Sequence, residues 1–244
     1  MTAPSTPMHL DIRLPDGMTD ADLQALHTFV PPLRGLGRVG LLGGSFNPPH
    51  LAHVLAALAV YATESLDHLW VIPTASHAFG KDLAPFDDRV RMAHLAFRHF
   101  AGGVAVLDLE ARLPKPSYTV NLLRVLHCLR PGIRPVWIAG SDILADLPRW
   151  REPDEVQRLA RIVVLPRAGH LPASSADAAA PPPVPDADAP TPTAGLTSSP
   201  LAVSLPELSS TEVRRRLREG TDARGLLDHE VLQYIERREL YRPT

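Results

Sequence analysis

The 244-residue chain holds one cysteine, Cys128, inside the apolar pattern NLLRVLHCL. A single thiol argues against a disulfide scaffold and against a cysteine-rich metal site. An excess charge of either sign is also missing: 25 Lys and Arg stand against 27 Asp and Glu, a net charge of −2. No global field therefore calls for nucleic acid or an anionic membrane. No run approaches the roughly 20 apolar residues of a membrane span. The opening MTAPSTPMHLDIRLPDG has no basic segment followed by an apolar one, so no secretory leader is expected and a cytoplasmic protein is the default. Internal repeats are absent, as are the dinucleotide fingerprint G-x-G-x-x-G and the P-loop G-K-[ST].

Hydrophobic residues make up 45% of the chain and charged residues 21%, the balance of a soluble globular protein. This length suits one large domain or two small ones and buries a substantial core. RVGLL (38–42), LDHLWVIP (66–73), VAVLD (104–108), VWIAG (136–140) and RIVVLP (161–166) read as buried strands. Between them LAHVLAALAVYATE, FDDRVRMAHLAFRHF, SYTVNLLRVLHCLR and EPDEVQRLA read as helices. Such alternation predicts a parallel sheet covered on both faces, with ligands beyond the carboxyl ends of its strands. Residues 1–37 are polar and proline-punctuated, with one short helix expected around Asp20 to Phe29. They form an N-terminal extension to a domain over 38–244. Residues 168–200, dominated by Ala, Pro, Ser and Asp, break the rhythm. They offer little apolar area to offset chain entropy and are expected to be a mobile loop inserted in that domain. One strand, LAVSL, and two helical patterns follow.

GGSFNPPHLAH, residues 43–53, leaves the first strand. Its glycines allow close backbone approach to a ligand, and Pro48 and Pro49 fix the exit from the turn. A helix starting near Pro49 or His50 points free N–H groups and a positive dipole end at an anion. His50 and His53 share one face of its first turn. This chemistry fits phosphate binding with imidazole contacts. A bland turn with His53 in the core stays open, as does half of a zinc site, although no third Cys or His pattern accompanies it.

ELSSTEVRRRLREG, residues 207–220, shows a capping-box pattern, Ser209 followed by Glu212. Hydroxyls and amides at that helix start, with Arg214 in the first turn, suit a second anion. Arg215, Arg216 and Arg218 read as a solvated basic face. In WIAGSDILADLPRW, Gly140 and Asp142 leave a strand end, where a carboxylate suits ribose hydroxyls, and Trp150 is able to stack on a ring or anchor a loop. Lys81 and the run Ser117-Tyr118-Thr119 fall in strand-to-helix connections.

In this order the segments resemble the nicotinate-nucleotide adenylyltransferase family. GGSFNPPHLAH answers to the family's G-G-[ST]-F-[DN]-P-x-H-x-G-H, and LSSTEVR to I-S-S-T-x-I-R. The connection ending at Lys81, FDDRVRM, PSYTV, GSD with its following tryptophan, and VLQYIERRELY complete a likeness over most of 38–244. The histidine motif alone marks the wider superfamily; the others make the match specific. The resemblance implies an α/β fold: a Rossmann-like, doubly wound, mainly parallel sheet with helices on both faces and a small C-terminal helical part. It implies adenylyl transfer from ATP to nicotinate mononucleotide, giving nicotinate adenine dinucleotide and pyrophosphate in NAD biosynthesis. The mononucleotide phosphate attacks the α-phosphorus in line, with no covalent enzyme intermediate, and catalysis is positioning plus charge neutralisation. On this likeness His50 and His53 contact ATP phosphates and stabilise the transition state, and Lys81 neutralises phosphate charge. Ser209, Ser210, Thr211 and the catalytic Arg214 hold the β and γ phosphates. Gly44, Ser45 and Phe46 line the nucleotide site, with Gly140 and Asp142 at the ribose. Thr119 and Trp150 frame the pyridine ring, and Asn47 and Lys81 join them at the mononucleotide. Mg²⁺ bridges phosphates with few or no protein ligands. The implied partners are the two substrates, without nucleic acid or membrane; a homo-oligomer is compatible.

Ala52 stands where the family has glycine, and Asn47 where many bacterial members carry Asp. The 168–200 loop is long for the family and residues 1–37 lie outside the likeness. None of these removes a charged catalytic group, so an active enzyme is expected. Its nearest rival uses nicotinamide mononucleotide, alone or beside the acid. Adenylation of pantetheine phosphate is disfavoured by PSYT, the tryptophan and the chain length. A nucleotide-binding regulator without turnover would be marked by loss of His50, His53 or Arg214, and all three are present.

Overall fold

The five apolar runs pair side by side, and each is covered above and below. The computed structural model describes residues 12–33, 37–75, 83–100, 102–141, 146–165 and 205–242. Strands β1 (Gly37–Gly44), β2 (His68–Pro73), β3 (Val104–Val106), β4 (Ile133–Gly140) and β5 (Arg161–Leu165) are all parallel, in the order β3-β2-β1-β4-β5. The helices are α1 (Asp20–Leu26), α2 (Leu51–Thr63), α3 (Phe86–Phe97), α4 (Thr119–Leu129), α5 (Pro153–Leu159), α6 (Ser210–Glu219) and α7 (His229–Arg237).

Two cores flank the sheet, which is why its strands carry continuous apolar runs rather than an alternating pattern. Val39, Leu41, Trp137 and Ala139 point to the face packed by α1, α4 and α5. Leu42, Leu69, Val71 and Ile138 point to the face packed by α2, α3, α6 and α7. The doubly wound α/β sheet with helices on both faces is therefore observed. From β1 the chain moves outward to β2 and β3, then crosses to β4 on the opposite side. Between β1 and β4 the winding direction reverses. In such sheets a crevice opens there, beyond the carboxyl ends of the strands, here Gly44 and Gly140.

Several boundaries differ from expectation. β3 ends at Val106 rather than 108, because it is an edge strand with β2 as its single neighbour; Leu107 N–H still reaches the Val71 carbonyl at 2.9 Å. The chain then tightens into a 3-10 turn, Leu109–Arg112. α3 stops at Phe97, three residues early, and Phe100 N–H folds back to the Phe97 carbonyl at 3.2 Å. Of the expected strand LAVSL only Leu205 is described, and it is buried; the 168–200 loop lies outside the described residues.

The short helix expected near residue 20 is α1, capped reciprocally by Thr19 and Asp22. It runs into a 3-10 turn, His27–Phe29. Leu26 and Val30 are buried in the same core as α4. Arg130, at the end of α4, donates to the carbonyls of Pro31 (2.8 Å) and His27 (3.0 Å). This part of the N-terminal segment thus packs as a piece of the domain. Among the described residues no helix is long and apolar enough to cross a membrane.

Candidate active site

The site is built at the exit of β1. A side chain on Gly43 would begin 2.8 Å from the Trp137 ring, so glycine is what lets that indole lie against the strand end. Phe46 takes φ 44°, the left-handed region that aromatic residues rarely adopt. Its ring is fully buried, 5.0 Å from the His53 ring and 6.1 Å from Phe97. The Phe46 side chain is core, so it offers a nucleotide only its backbone. The Asn47–Pro48 peptide is cis.

α2 starts at Leu51 with His50 as its N-cap. His50 N–H donates to His53 Nδ1 at 3.2 Å, and the two rings stack with centroids 3.8 Å apart. Because Nδ1 accepts, a neutral His53 carries its proton on Nε2, where it is a donor. Leu51 N–H, among the first donors of the helix, bonds the Leu226 carbonyl at 2.9 Å. An anion at this helix start would therefore rely on the imidazoles and the remaining amides.

α6 is fastened to the same loop. Ser210 Oγ donates to the Pro48 carbonyl at 2.9 Å, and Arg214 Nη1 donates to the Asn47 carbonyl at 2.7 Å. Arg214 Nη2 also reaches Thr211 Oγ1 at 3.3 Å. Ser209 caps the helix by accepting Glu212 N–H at 3.2 Å. The capping box expected from Ser209 and Glu212 is made on that side only. The Glu212 carboxylate turns to Arg215 (2.7 Å) and Arg216 (2.7 Å), because two cations on the same face outbid one backbone amide. These arginines hold Glu212 down at a pKa of about 2.

Two segments distant along the chain complete the loop. Asn47 is buried, and its Oδ1 accepts both Ala84 N–H (3.1 Å) and Tyr241 Oη–H (2.7 Å). Arg89, 1% exposed, donates to the carbonyls of Ser45 (2.8 Å), Thr74 (2.7 Å), Ala84 (3.0 Å) and Ala75 (3.4 Å). Burial lowers its pKa, opposed by Tyr241 and Glu110; a guanidinium still stays charged. Glu110 is buried too and accepts Ala75 N–H at 3.0 Å. Burial raises the Glu110 pKa, against the pull of that amide, Ser117 and Arg89.

The fold thus brings together Gly44, Ser45, Asn47, His50, His53, Ser210, Thr211 and Arg214 on one loop and the helix start tied to it. Gly140 ends β4, the strand beside β1. Thr119 opens α4, and Trp150 sits edge-on to Trp137 with centroids 6.2 Å apart, packed against the α4 core. Lys81 and Asp142 lie outside the described residues. Arg89 and Tyr241 were missed. For Arg89 a signal existed: it lies in helical register with Met92, Ala93 and Ala96, all buried, so a charge sat on an apolar stripe. For Tyr241, within VLQYIERRELY, no local pattern sets it apart.

Residues 41–216 match the family model described as cytidylyltransferase-like. A protein of Anaeromyxobacter dehalogenans, named probable nicotinate-nucleotide adenylyltransferase, is 43% identical over 213 residues, spanning 86% of this chain and 100% of its own. One of the same name from Myxococcus xanthus is 35% identical over 209 residues, spanning 86% and 97%. The chain belongs to the nicotinate-nucleotide adenylyltransferase family. A solved structure, Plasmodium falciparum nicotinic acid mononucleotide adenylyltransferase complexed with NaAD, superposes with a TM-score of 0.65 over 84% of this chain and 97% of that one. At 19% identity that likeness speaks for the fold. The family model ends within α6, so it takes in both histidines and Arg214 but not α7 or Tyr241. Among the described residues no group of three His, Cys, Asp or Glu is placed to hold a metal ion.

Proposed function

We propose that the protein joins ATP to nicotinate mononucleotide. A 5′-phosphate oxygen of the mononucleotide attacks the α-phosphorus of ATP, the bond from that phosphorus to the bridging oxygen of the β-phosphate breaks, and pyrophosphate leaves. The product is nicotinate adenine dinucleotide, on the route to NAD. The observation that carries this reading is the meeting of two helix starts on one loop: His50 and His53 at α2, and Ser210 and Arg214 bonded to the carbonyls of Pro48 and Asn47. Two positive helix ends, an arginine and two imidazoles converge where the winding of the sheet reverses, and that suits a polyphosphate.

In this reading ATP lies along the loop. Its phosphates meet His53 Nε2–H, His50 and Arg214, with Ser209, Ser210 and Thr211 at the β and γ groups. Lys81 neutralises charge between the substrates, and Asp142 takes ribose hydroxyls beside Gly140. Thr119 and Trp150 bound the pyridine ring, with Asn47 holding the loop beneath. Mg²⁺ enters with ATP: the described donors at the site are cationic or neutral, so phosphate oxygens and water would hold the ion. The donors act by being already fixed when charge develops on the transferring phosphoryl group.

The test is pyrophosphate release from ATP with nicotinate and nicotinamide mononucleotide assayed in parallel. Faster release with the acid is expected. Release with neither would sink the enzyme reading, and a marked preference for the amide would sink the substrate assignment alone.

A further inference from the structure

Tyr241 lies three residues before the last one of the sequence, beyond the family match, yet its hydroxyl is bonded into the phosphate loop. The route back is unusual. α7 ends in a tight reversal in which Leu240 N–H bonds the Ile235 carbonyl (3.1 Å) and Glu239 N–H the Glu236 carbonyl (3.2 Å). Glu239 takes φ 55° there, a position that glycine normally fills. Two residues on, Tyr241 takes φ 63°. Two side-chain-bearing residues out of three thus hold a left-handed backbone, a conformation that persists only where the surroundings over-determine it. The surroundings here are specific. α7 is pinned to α3 by Asp88, which accepts Tyr234 Oη–H at 2.7 Å and Arg238 Nε–H at 3.1 Å. The strained return ends with Tyr241 Oη on Asn47 Oδ1 at 2.7 Å.

Asn47 is the node of the loop. Its side-chain oxygen takes Tyr241 and Ala84, and its carbonyl takes Arg214. It stands three residues before His50. Burial pushes the Tyr241 phenol above its ordinary value, against Arg214 and Arg89, so the hydroxyl stays protonated and stays the donor.

We propose that Tyr241 is a positioning residue for adenylyl transfer, acting through Asn47 to hold the loop that carries His50. This rests on the reaction proposed above. The C-terminal segment is then part of the catalytic machinery rather than a tail.

The test removes one oxygen: Tyr241→Phe keeps the ring packed against the core and removes the bond. Single-turnover rate and kcat should fall about tenfold, with KM for ATP and mononucleotide within about twofold and the melting temperature within about 2 °C. In an Asn47→Ala background the same change should cost almost nothing more, since the route is already broken. Unchanged kcat, a KM rise for one substrate at intact kcat, or full additivity with Asn47→Ala would each overturn the proposal. Amide exchange in the segment 44–50 reads the contact without turnover: faster exchange in Tyr241→Phe supports it and equal exchange overturns it. A wild-type protein that turns over neither mononucleotide would sink the reaction above and leave this exchange test to decide.

Discussion

Arg89 Nη1 lies 2.8 Å from the carbonyl oxygen of Ser45 and 2.7 Å from that of Thr74. One buried guanidinium therefore joins the carboxyl ends of β1 and β2, the two strands whose exits lead into the loop before His50 and into the connection that holds Lys81. Carbonyls at strand exits have no ladder partner, and burial without one is costly. The planar fork of arginine answers several at once, which a single ammonium does not. The charge is tolerated because four of its five N–H groups find a carbonyl oxygen.

Arg89→Met should lower stability by about 3 kcal/mol. It strands at least the carbonyls of Ser45, Thr74 and Ala84, each worth about 1–3 kcal/mol when unsatisfied, while removing a buried charge returns part of that. Arg89→Lys should recover less than half of the loss. Urea unfolding measures both. A methionine variant as stable as the wild type would mean that water replaces the guanidinium.

Glu110 should give the protein a pH-dependent cost. Its pKa is raised by burial in the folded state. Below the ordinary 4.5 it is protonated in both states and contributes nothing. Between that value and the raised one, the folded state keeps a proton that the unfolded state releases, so stability falls as pH rises; above the raised value the loss is complete. Glu110→Gln keeps an acceptor for Ala75 N–H and does not titrate. Its stability relative to wild type should grow as pH rises above the ordinary 4.5 in paired denaturant titrations. A flat difference would remove Glu110 as the source.

The parts of this molecule legible in its sequence are those set by neighbours along the chain. Five apolar runs gave five strands, because burial on both faces needs only the run itself. His50, His53, Ser209 and Arg214 stand out in the sequence because a helix start has a local chemistry. Arg89 and Tyr241 were not, since their bonds to Ser45 and Asn47 span 44 and 194 residues. Those partners are chosen by which loops the sheet order brings together. Phe46 is expected to line the nucleotide site; its left-handed φ, with the ring buried in the core, is not legible in the sequence. Backbone sign at a non-glycine residue leaves no periodic trace.

The segment before β1 should be a stability element with little effect on the chemistry. Leu26 and Val30 are 5% and 2% exposed and pack in the α4 core. Leu26→Ala with Val30→Ala should cost about 4 kcal/mol, the sum of two large-to-small core changes. kcat and both KM values should stay within about twofold, measured below the new melting temperature. A kinetic defect at full folding would show that this segment reaches the site.

His53 offers the sharpest test of the mechanism, because its two ring nitrogens have different duties. Nδ1 accepts His50 N–H at 3.2 Å and so maintains the helix start, while Nε2–H is the donor assigned to phosphate. A donor aimed at charge that develops in the transition state is worth about 10²–10³-fold in rate. His53→Ala should lower the single-turnover rate by that order, with ATP affinity changed less than about threefold. Asparagine and glutamine separate the two nitrogens. Asn carries a polar atom near the Nδ1 position and preserves the acceptor for His50 N–H, whereas Gln reaches the Nε2 position with an N–H donor. His53→Gln should therefore retain more rate than His53→Asn. The reverse order would mean that the bond to His50, and the geometry of the helix start, is what transfer needs, and the direct phosphate contact would have to be withdrawn.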